Sequence, residues 1–173
     1  MSGNFYTDVV LKSAWARNPS AVCKDSAMLE PGTRAKVEAF VAEAKSLGHE
    51  VRVLETYRSQ LRQSELYRGG RTQLAKVGCH GFGVAADLGL FINGTKYDPR
   101  GQDYMFFQAL CLKHKLISGI GWGTPRAGHT FNDYDHVQNV PIFRQDDLFA
   151  GRWYPPRDYD PIDDMIKHSI RGM

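Results

Sequence analysis

The sequence lacks several features that would place it in a common class of protein. Its three cysteines, Cys23, Cys79 and Cys111, are widely spaced and include no CxxC pair, which argues against a disulfide framework and favours synthesis in a reducing compartment. No apolar run is long enough to span a membrane, and the first residues do not show the basic and apolar segments of a signal peptide. We therefore expect synthesis in the cytoplasm, whatever the compartment of action.

Charge of one sign and internal repetition are also scarce. The 22 basic and 19 acidic residues leave a net charge of +3, with no block of like charges. This mild excess would favour approach to an anionic polymer, but it is too small to indicate a nucleic-acid partner. Because no repeat, low-complexity tract or linker divides the chain, residues 1–173 are predicted to form a single domain.

Apolar periodicity and turn residues predict helices mixed with hairpin-connected strands. The expected helices cover 30–48, 59–70, 102–116 and 159–172, and the expected strands lie within 49–57, 85–98 and 134–138. The dipeptide Asn93-Gly94 is a strong hairpin signal inside the second strand segment. Together these elements predict an α+β fold in which helices flank a small antiparallel sheet.

The C-terminal segment, residues 141–173, is expected to pack on this domain. Its last helix carries four apolar residues at helical spacing, which we predict to be buried: Ile162, Met165, Ile166 and Ile170.

Candidate metal ligands lie in "GCHGFGVAADLGLF", residues 78–91. His80 and Asp87 are its only strongly polar side chains, and a loop followed by a strand would let both point at one spot. His136, at the start of a later strand signal, is a third candidate; three protein ligands leave a catalytic zinc one position for water. Asp133, three residues earlier, could take a proton from that water. Taken singly, each residue also has a simpler reading as a turn former or a satisfied polar group, and His129 is a reserve ligand.

Three segments together resemble the M15 family of zinc peptidases, which includes D-alanyl-D-alanine carboxypeptidases and the L-alanyl-D-glutamate endopeptidases of phage lysis. They are "YRS" at 57–59, "HGFGVAAD" at 80–87, and "GWG" followed by "FNDYDHVQ" between 121 and 138. The family pattern HxxGxAxD is matched by His80, Gly83, Ala85 and Asp87. The resemblance covers about residues 55–138, and the segment 141–173 lies outside it.

The resemblance implies a Hedgehog/DD-peptidase-like fold and a set of site residues. His80, Asp87 and His136 would hold Zn²⁺, Asp133 would act as general base and then acid, and Arg58 would bind the scissile carbonyl or its oxyanion. Two positions depart from the pattern. Gly78 replaces a serine that many relatives carry, and Asp135 replaces a proline common in the phage-type members.

The implied function is zinc-dependent hydrolysis of a peptide bond in peptidoglycan stem peptides. We favour an L-alanyl-D-glutamate endopeptidase that acts as a phage endolysin and is expected to be a monomer. It would act on the cell wall in the periplasm after release by a holin, or by packaging with a phage tail or another injection device. The alternatives are a D-alanyl-D-alanine carboxypeptidase and a non-catalytic module, which would hold zinc as the Hedgehog signalling domain does or would bind the cell wall.

Overall fold

The computed structural model describes residues 3–17, 20–96, 105–120, 122 and 132–171. Within these residues there are seven α-helices: α1 (Phe5–Asp8), α2 (Ala14–Arg17), α3 (Pro31–Ser46), α4 (Gln60–Arg68), α5 (Met105–Lys113), α6 (Ile142–Phe149) and α7 (Pro161–Arg171). The strands are β1 (Glu50–Glu55), β2 (Ala85–Ile92), β3 (Thr95–Lys96), β4 (Ile117–Ser118) and β5 (His136–Gln138). Single 3₁₀ turns cover Val10–Lys12, Ser26–Met28 and Cys79–Phe82. None of the helices described is both long and apolar enough to cross a bilayer.

The strands form one antiparallel sheet, as predicted. Its order is β1-β2-β5-β4, and β3 pairs with the far end of β2. The register places Asp87 of β2 opposite Glu55 of β1 on one side and His136 of β5 on the other. Three polar side chains from three strands therefore form a row across the sheet.

The two faces of the sheet have different surroundings. The main core joins α3 and α5 to one face; its largest contributors are Val37 and Phe40 of α3, Phe107 and Leu110 of α5, and Ala86, Leu88, Leu90 and Val137 of the sheet. Because successive residues of a strand point to opposite faces, Asp87 and His136 point away from this core. The sheet thus separates a packed apolar layer from the face that carries the candidate ligands.

Local signals in the sequence account for several element ends. Ser59 caps α4 by accepting a hydrogen bond from the Arg62 backbone amide at 3.1 Å. Asn93 and Gly94 both have positive φ, at 50° and 77°, as a type I′ hairpin turn requires. The sequence analysis missed α6, which has no side-chain N-cap and follows Pro141.

The predicted apolar face of α7 is mostly exposed. Met165, Ile166 and Ile170 are 41%, 56% and 66% exposed, so the prediction that they are buried is wrong. The opposite side of the helix makes the contacts with α6. Arg144 Nε donates to Asp164 at 2.8 Å, and His168 stacks on Phe143 with ring centres 3.9 Å apart. These polar and aromatic contacts turn the apolar stripe outward.

Candidate metal centre

His80, Asp87 and His136 converge as predicted. His80 comes from the 3₁₀ turn before β2, while Asp87 and His136 are cross-strand partners. His80 Nε2 lies 3.0 Å from Asp87 Oδ1 and 3.1 Å from His136 Nδ1, and His136 Nδ1 lies 3.2 Å from the same Asp87 oxygen. Each side chain offers one ligand atom to a group that could hold a metal ion.

Gly83 fixes the turn that presents His80. It ends the 3₁₀ turn with φ +71°, in the left-handed region that favours glycine. A Cβ at this position would lie 2.6 Å from the carbonyl oxygen of Met28, so both conformation and space exclude a side chain. The glycine of the HxxGxAxD pattern therefore has a local structural reason.

The outward nitrogens of both imidazoles have hydrogen-bond acceptors. His80 Nδ1 lies 3.1 Å from the carbonyl oxygen of Thr56, which can only accept, so His80 donates there. His136 Nε2 lies 3.0 Å from Gln138 Oε1, and the Gln138 amide nitrogen donates to the carbonyl of Val140. Both histidines therefore turn a lone pair, at Nε2 of His80 and Nδ1 of His136, toward Asp87.

This arrangement suits a bound cation. With both N–H groups directed outward, the three inward atoms are all electron-pair donors 3.0–3.2 Å apart. Such a contact is repulsive unless a proton or a metal ion lies among them. Ligand atoms of a tetrahedral zinc ion at 2.0–2.1 Å are about 3.3 Å apart, so the triad has the spacing that such an ion needs.

Electrostatics also favour a charged centre. Burial opposes ionisation of Asp87, but the attraction of His80 and the close contacts with both imidazoles outweigh burial and hold its pKa well below the ordinary value. Burial likewise opposes protonation of His136, yet the close contact with Asp87 and the nearby Asp133 carboxylate raise its pKa. The carboxylate is thus ionised and ready to bind a cation.

Arg58 binds the outer oxygen of Asp87. Its Nη2 donates to Asp87 Oδ2 at 2.6 Å and its Nε donates to Glu55 Oε2 at 2.7 Å, while Gln63 Oε1 accepts from Nη1 at 3.3 Å. Burial opposes the charge, but Asp87 and Glu55 outweigh it and raise the pKa of Arg58, so the guanidinium stays charged. Arg58 therefore orients Asp87 through one edge, its Nη1 makes a long contact with Gln63, and the residue lines both lobes of the cleft.

Asp133 lies beside the triad but outside it. Asp133 is half-buried. Its backbone amide donates a hydrogen bond to the Gly119 carbonyl at 3.1 Å, and the Gly119 amide donates to the His136 carbonyl at 2.9 Å. A Cβ at Gly119 would lie 2.4 Å from the Asp133 carbonyl oxygen. Gly119 thus allows the close approach that holds Asp133 next to the strand carrying His136.

A cleft of two lobes borders the triad. Its larger lobe, about 460 Å³, is bordered by Asp87, and its smaller lobe, about 70 Å³, is bordered by His80 and His136. Three residues line both lobes: Arg58, Thr72 and Asp133. The predicted ligands and catalytic residues therefore border two lobes that share part of their lining.

The smaller lobe also has two walls of different origin. Trp122 lines it with its ring centre 5.0 Å from that of His136. Gln145 of α6 lines it from the C-terminal segment, which lies outside the matched motifs. The segment after residue 141 thus contributes to the site.

Two neighbouring residues with metal-binding side chains, Cys79 and Asp135, are not among the three that converge. Cys79 is buried among apolar residues, and burial raises the pKa of its thiol to about 12. Asp135 pairs with Lys96 instead of a ligand, so it is neither the partner of a ligand nor exposed. His129, the reserve ligand, lies outside the residues that the structure describes.

Sequence reasoning missed the groups that support the ligands. Gln138 lies two residues after His136 on the same strand face, so the sequence spacing alone could have indicated that Gln138 contacts His136. Thr56 acts through its carbonyl, and Glu55 acts through the register of β1 on β2, which no local pattern reveals.

Comparisons with known proteins identify the fold. No protein-family model matches the sequence, and no curated protein matches it either. A VanY D,D-pentapeptidase variant from a VanB-type resistance cassette, solved in complex with Zn(II), aligns over 70% of this chain and 78% of its own length at 14% identity, with a TM-score of 0.51. Two further structures have TM-scores of 0.49. They are the L-Ala D-Glu endopeptidase ChiX of Serratia marcescens, with 19% identity over 75% of this chain and 96% of its own, and the LD-carboxypeptidase LdcB, with 17% identity over 69% and 64%. The chain has a DD-peptidase-like fold, which confirms the resemblance at the level of architecture.

Proposed function

We propose that this chain is a zinc-dependent peptidase of the M15 type that hydrolyses a peptide bond in peptidoglycan stem peptides. The observation that carries the proposal is the triad of His80, Asp87 and His136, whose three ligand atoms lie 3.0–3.2 Å from one another and could hold a metal ion. The fold shared with a zinc-bound peptidase structure supports it.

The donor set suits zinc. Two imidazole nitrogens and one carboxylate oxygen are common ligands of catalytic zinc, and a three-residue set leaves a position open to water. When bound, zinc supplies Lewis-acid chemistry and lowers the pKa of a coordinated water to about 7. His80 and His136 contribute neutral nitrogens, which Thr56 and Gln138 hold in the required tautomers.

Asp133 is proposed to move the proton. Asp133 lines both lobes of the cleft beside the triad, within the space proposed for the substrate. As general base it takes a proton from the attacking water, and as general acid it delivers that proton to the departing amine. A structural metal would need no such carboxylate, and this favours an enzyme over a non-catalytic module.

Arg58 is proposed to bind the carbonyl oxygen of the scissile bond. Two of its nitrogens are held by Glu55 and Asp87, which fixes the plane of the guanidinium. Its third nitrogen, Nη1, can donate to the oxygen on which negative charge develops. The loss of one such donor typically reduces kcat by about 10²- to 10³-fold.

An L-alanyl-D-glutamate endopeptidase is the reaction that we favour. The triad is bordered by two lobes, which would accommodate peptide on both sides of the scissile bond. One observation favours the alternative reaction, that of a D-alanyl-D-alanine carboxypeptidase. The smaller lobe has a volume of only about 70 Å³, which would suit a single terminal residue.

A muropeptide digest decides between these reactions. The zinc-loaded chain is incubated with purified stem peptides and the products are identified by mass spectrometry, with Asp133→Ala as the matched inactive variant. Separation of L-alanine from the D-glutamyl residue would support the endopeptidase. Release of D-alanine alone would replace it with the carboxypeptidase, and intact peptides would overturn peptidase activity.

The role as a phage endolysin stays a prediction of the resemblance. It is tested by the loss of turbidity of permeabilised Gram-negative cells on addition of the chain. Lysis that a chelator abolishes and zinc restores is expected; lysis that is insensitive to the chelator would contradict a metal-dependent lysin.

A further inference from the structure

Within the described part of the chain, one cation that lines the larger lobe has no partner. Four basic side chains line it: Arg58, Arg62, Arg71 and Lys96. Arg58 is held by Glu55 and Asp87, and Lys96 by Asp135. Among the residues that the structure describes, the Arg71 guanidinium has no hydrogen-bond acceptor and no carboxylate partner.

Arg62 is only partly engaged. Its Nε lies 3.4 Å from Glu55 Oε1, a long contact, and its two terminal nitrogens have no acceptor within the described part of the chain. The Arg62 side chain is 20% exposed, so its charge is partly withdrawn from water without being fully paired. Arg62 can therefore donate to a further acceptor in the lobe.

The backbone holds both guanidiniums on one wall. Arg62 lies within α4, and Arg71 follows the Gly69-Gly70 turn that ends this helix, where Gly70 has φ +66°. The Arg71 amide donates to the Leu66 carbonyl at 2.9 Å, which fixes its backbone against the last turn of α4. Two donors from one helix and its C-terminal turn thus border the same space as Asp87.

We propose that Arg62 and Arg71 bind a carboxylate of the peptide that occupies the larger lobe. This inference rests on the proposed function. A planar guanidinium offers paired N–H donors that match the two oxygens of a carboxylate. Four carboxylates line the lobe: Glu55, Asp87, Asp133 and Asp135. Counting partners among the described residues, Asp133 alone of these has no ion pair, and Asp133 lies beside the triad. Arg71 is therefore the remaining cation for an anion of the substrate.

Two groups of a stem peptide have this chemistry. A D-glutamyl residue linked through its side chain leaves its α-carboxylate free within the chain, and the peptide also ends in a C-terminal carboxylate. Amidating one group at a time distinguishes them, because an amide keeps the shape and removes the charge.

The experiment uses three versions of the peptide L-Ala-γ-D-Glu-L-Lys-D-Ala: unmodified, amidated at the D-glutamyl α-carboxylate, and amidated at the C-terminus. kcat/KM is measured for the zinc-loaded chain and for Arg62→Gln, Arg71→Gln and Arg68→Gln. Arg68 is the matched control, since it is an exposed arginine of α4 that does not line the lobe. Dissociation constants of the same peptides are measured by calorimetry on a zinc-loaded Asp133→Asn background.

One of the two amidations is expected to lower kcat/KM of the unsubstituted chain by about tenfold or more, as for the loss of a charge-assisted hydrogen bond. Arg71→Gln, and to a smaller extent Arg62→Gln, should bring the acid-to-amide ratio close to one, whereas Arg68→Gln should preserve it. The proposal is overturned if Arg71→Gln keeps the acid-to-amide ratio of the unsubstituted chain, or if the unsubstituted chain hydrolyses acid and amide peptides equally well. If no peptide is hydrolysed, the proposed function fails separately, and the same comparison of dissociation constants decides whether the lobe binds a carboxylate.

Discussion

Gln138→Leu is expected to weaken zinc binding while leaving all three ligands in place. Gln138 is 1% exposed and makes two buried hydrogen bonds, one with His136 Nε2 at 3.0 Å and one with the Val140 carbonyl. Leucine fills much of the same volume but leaves both groups unpaired, at a cost of about 1–3 kcal/mol each. The share that falls on His136 acts on the metal centre, and about 1.4–2.8 kcal/mol there corresponds to a 10- to 100-fold weaker affinity.

The assay is competition for zinc against a chelator of known affinity near neutral pH. Asn139→Leu is the matched control, because Asn139 is a fully buried amide one residue further on and hydrogen-bonds Thr33 and Lys36 on the other side of the strand. Both variants should lose similar free energy of unfolding, but only Gln138→Leu should lose zinc affinity. Equal zinc affinity in the two variants would refute the argument that Gln138 orients His136.

Three further predictions concern other parts of the structure. Gly83→Ala should lower the free energy of unfolding in a urea titration by about 3 kcal/mol, because it adds a steric clash to left-handed strain. Gly48→Ala is the control: Gly48 has φ +83° and no atom within 4 Å of the added Cβ, so the loss should be only about 1 kcal/mol. Equal losses in the two variants would contradict the steric clash at Gly83. Burial lowers the pKa of Lys36 from 10.5 to about 8, so the unfolded chain binds more protons between these values. The stability of the unsubstituted chain relative to Lys36→Met should therefore rise with pH across that window, by about 2 kcal/mol after allowance for screening, and a pH-independent difference would be contrary to this. Gly119→Ala should displace Asp133 and lower peptide hydrolysis at least about tenfold with zinc content unchanged; full activity would mean that the close approach is unimportant.

The residues of the metal site can be predicted from the sequence more completely than the details of the fold. His80, Asp87 and His136 could be proposed as ligands because a motif spanning a turn and two strands records their order and spacing. The same motif cannot reveal that Asp87 lies between Glu55 and His136, since that row arises from the register of three strands. The role of Glu55 in holding Arg58 is for this reason visible only in the structure.

The C-terminal segment shows the limits of helical periodicity. The pattern of α7 correctly predicted a helix but not which side would be buried, because Arg144 and Phe143 of α6 engage its polar side. α6 itself carries no side-chain cap and was missed, although it supplies Gln145 to the cleft. Tertiary contacts, which local propensity does not encode, decided both outcomes.

Zinc titration of the metal-free chain by calorimetry tests the metal centre most directly. We predict one zinc ion per chain, with affinity lost in each of His80→Ala, Asp87→Ala and His136→Ala and retained in Asp133→Ala. The absence of zinc binding by the unsubstituted chain, or undiminished binding by any of the three ligand variants, would contradict the assignment of these residues as a metal centre.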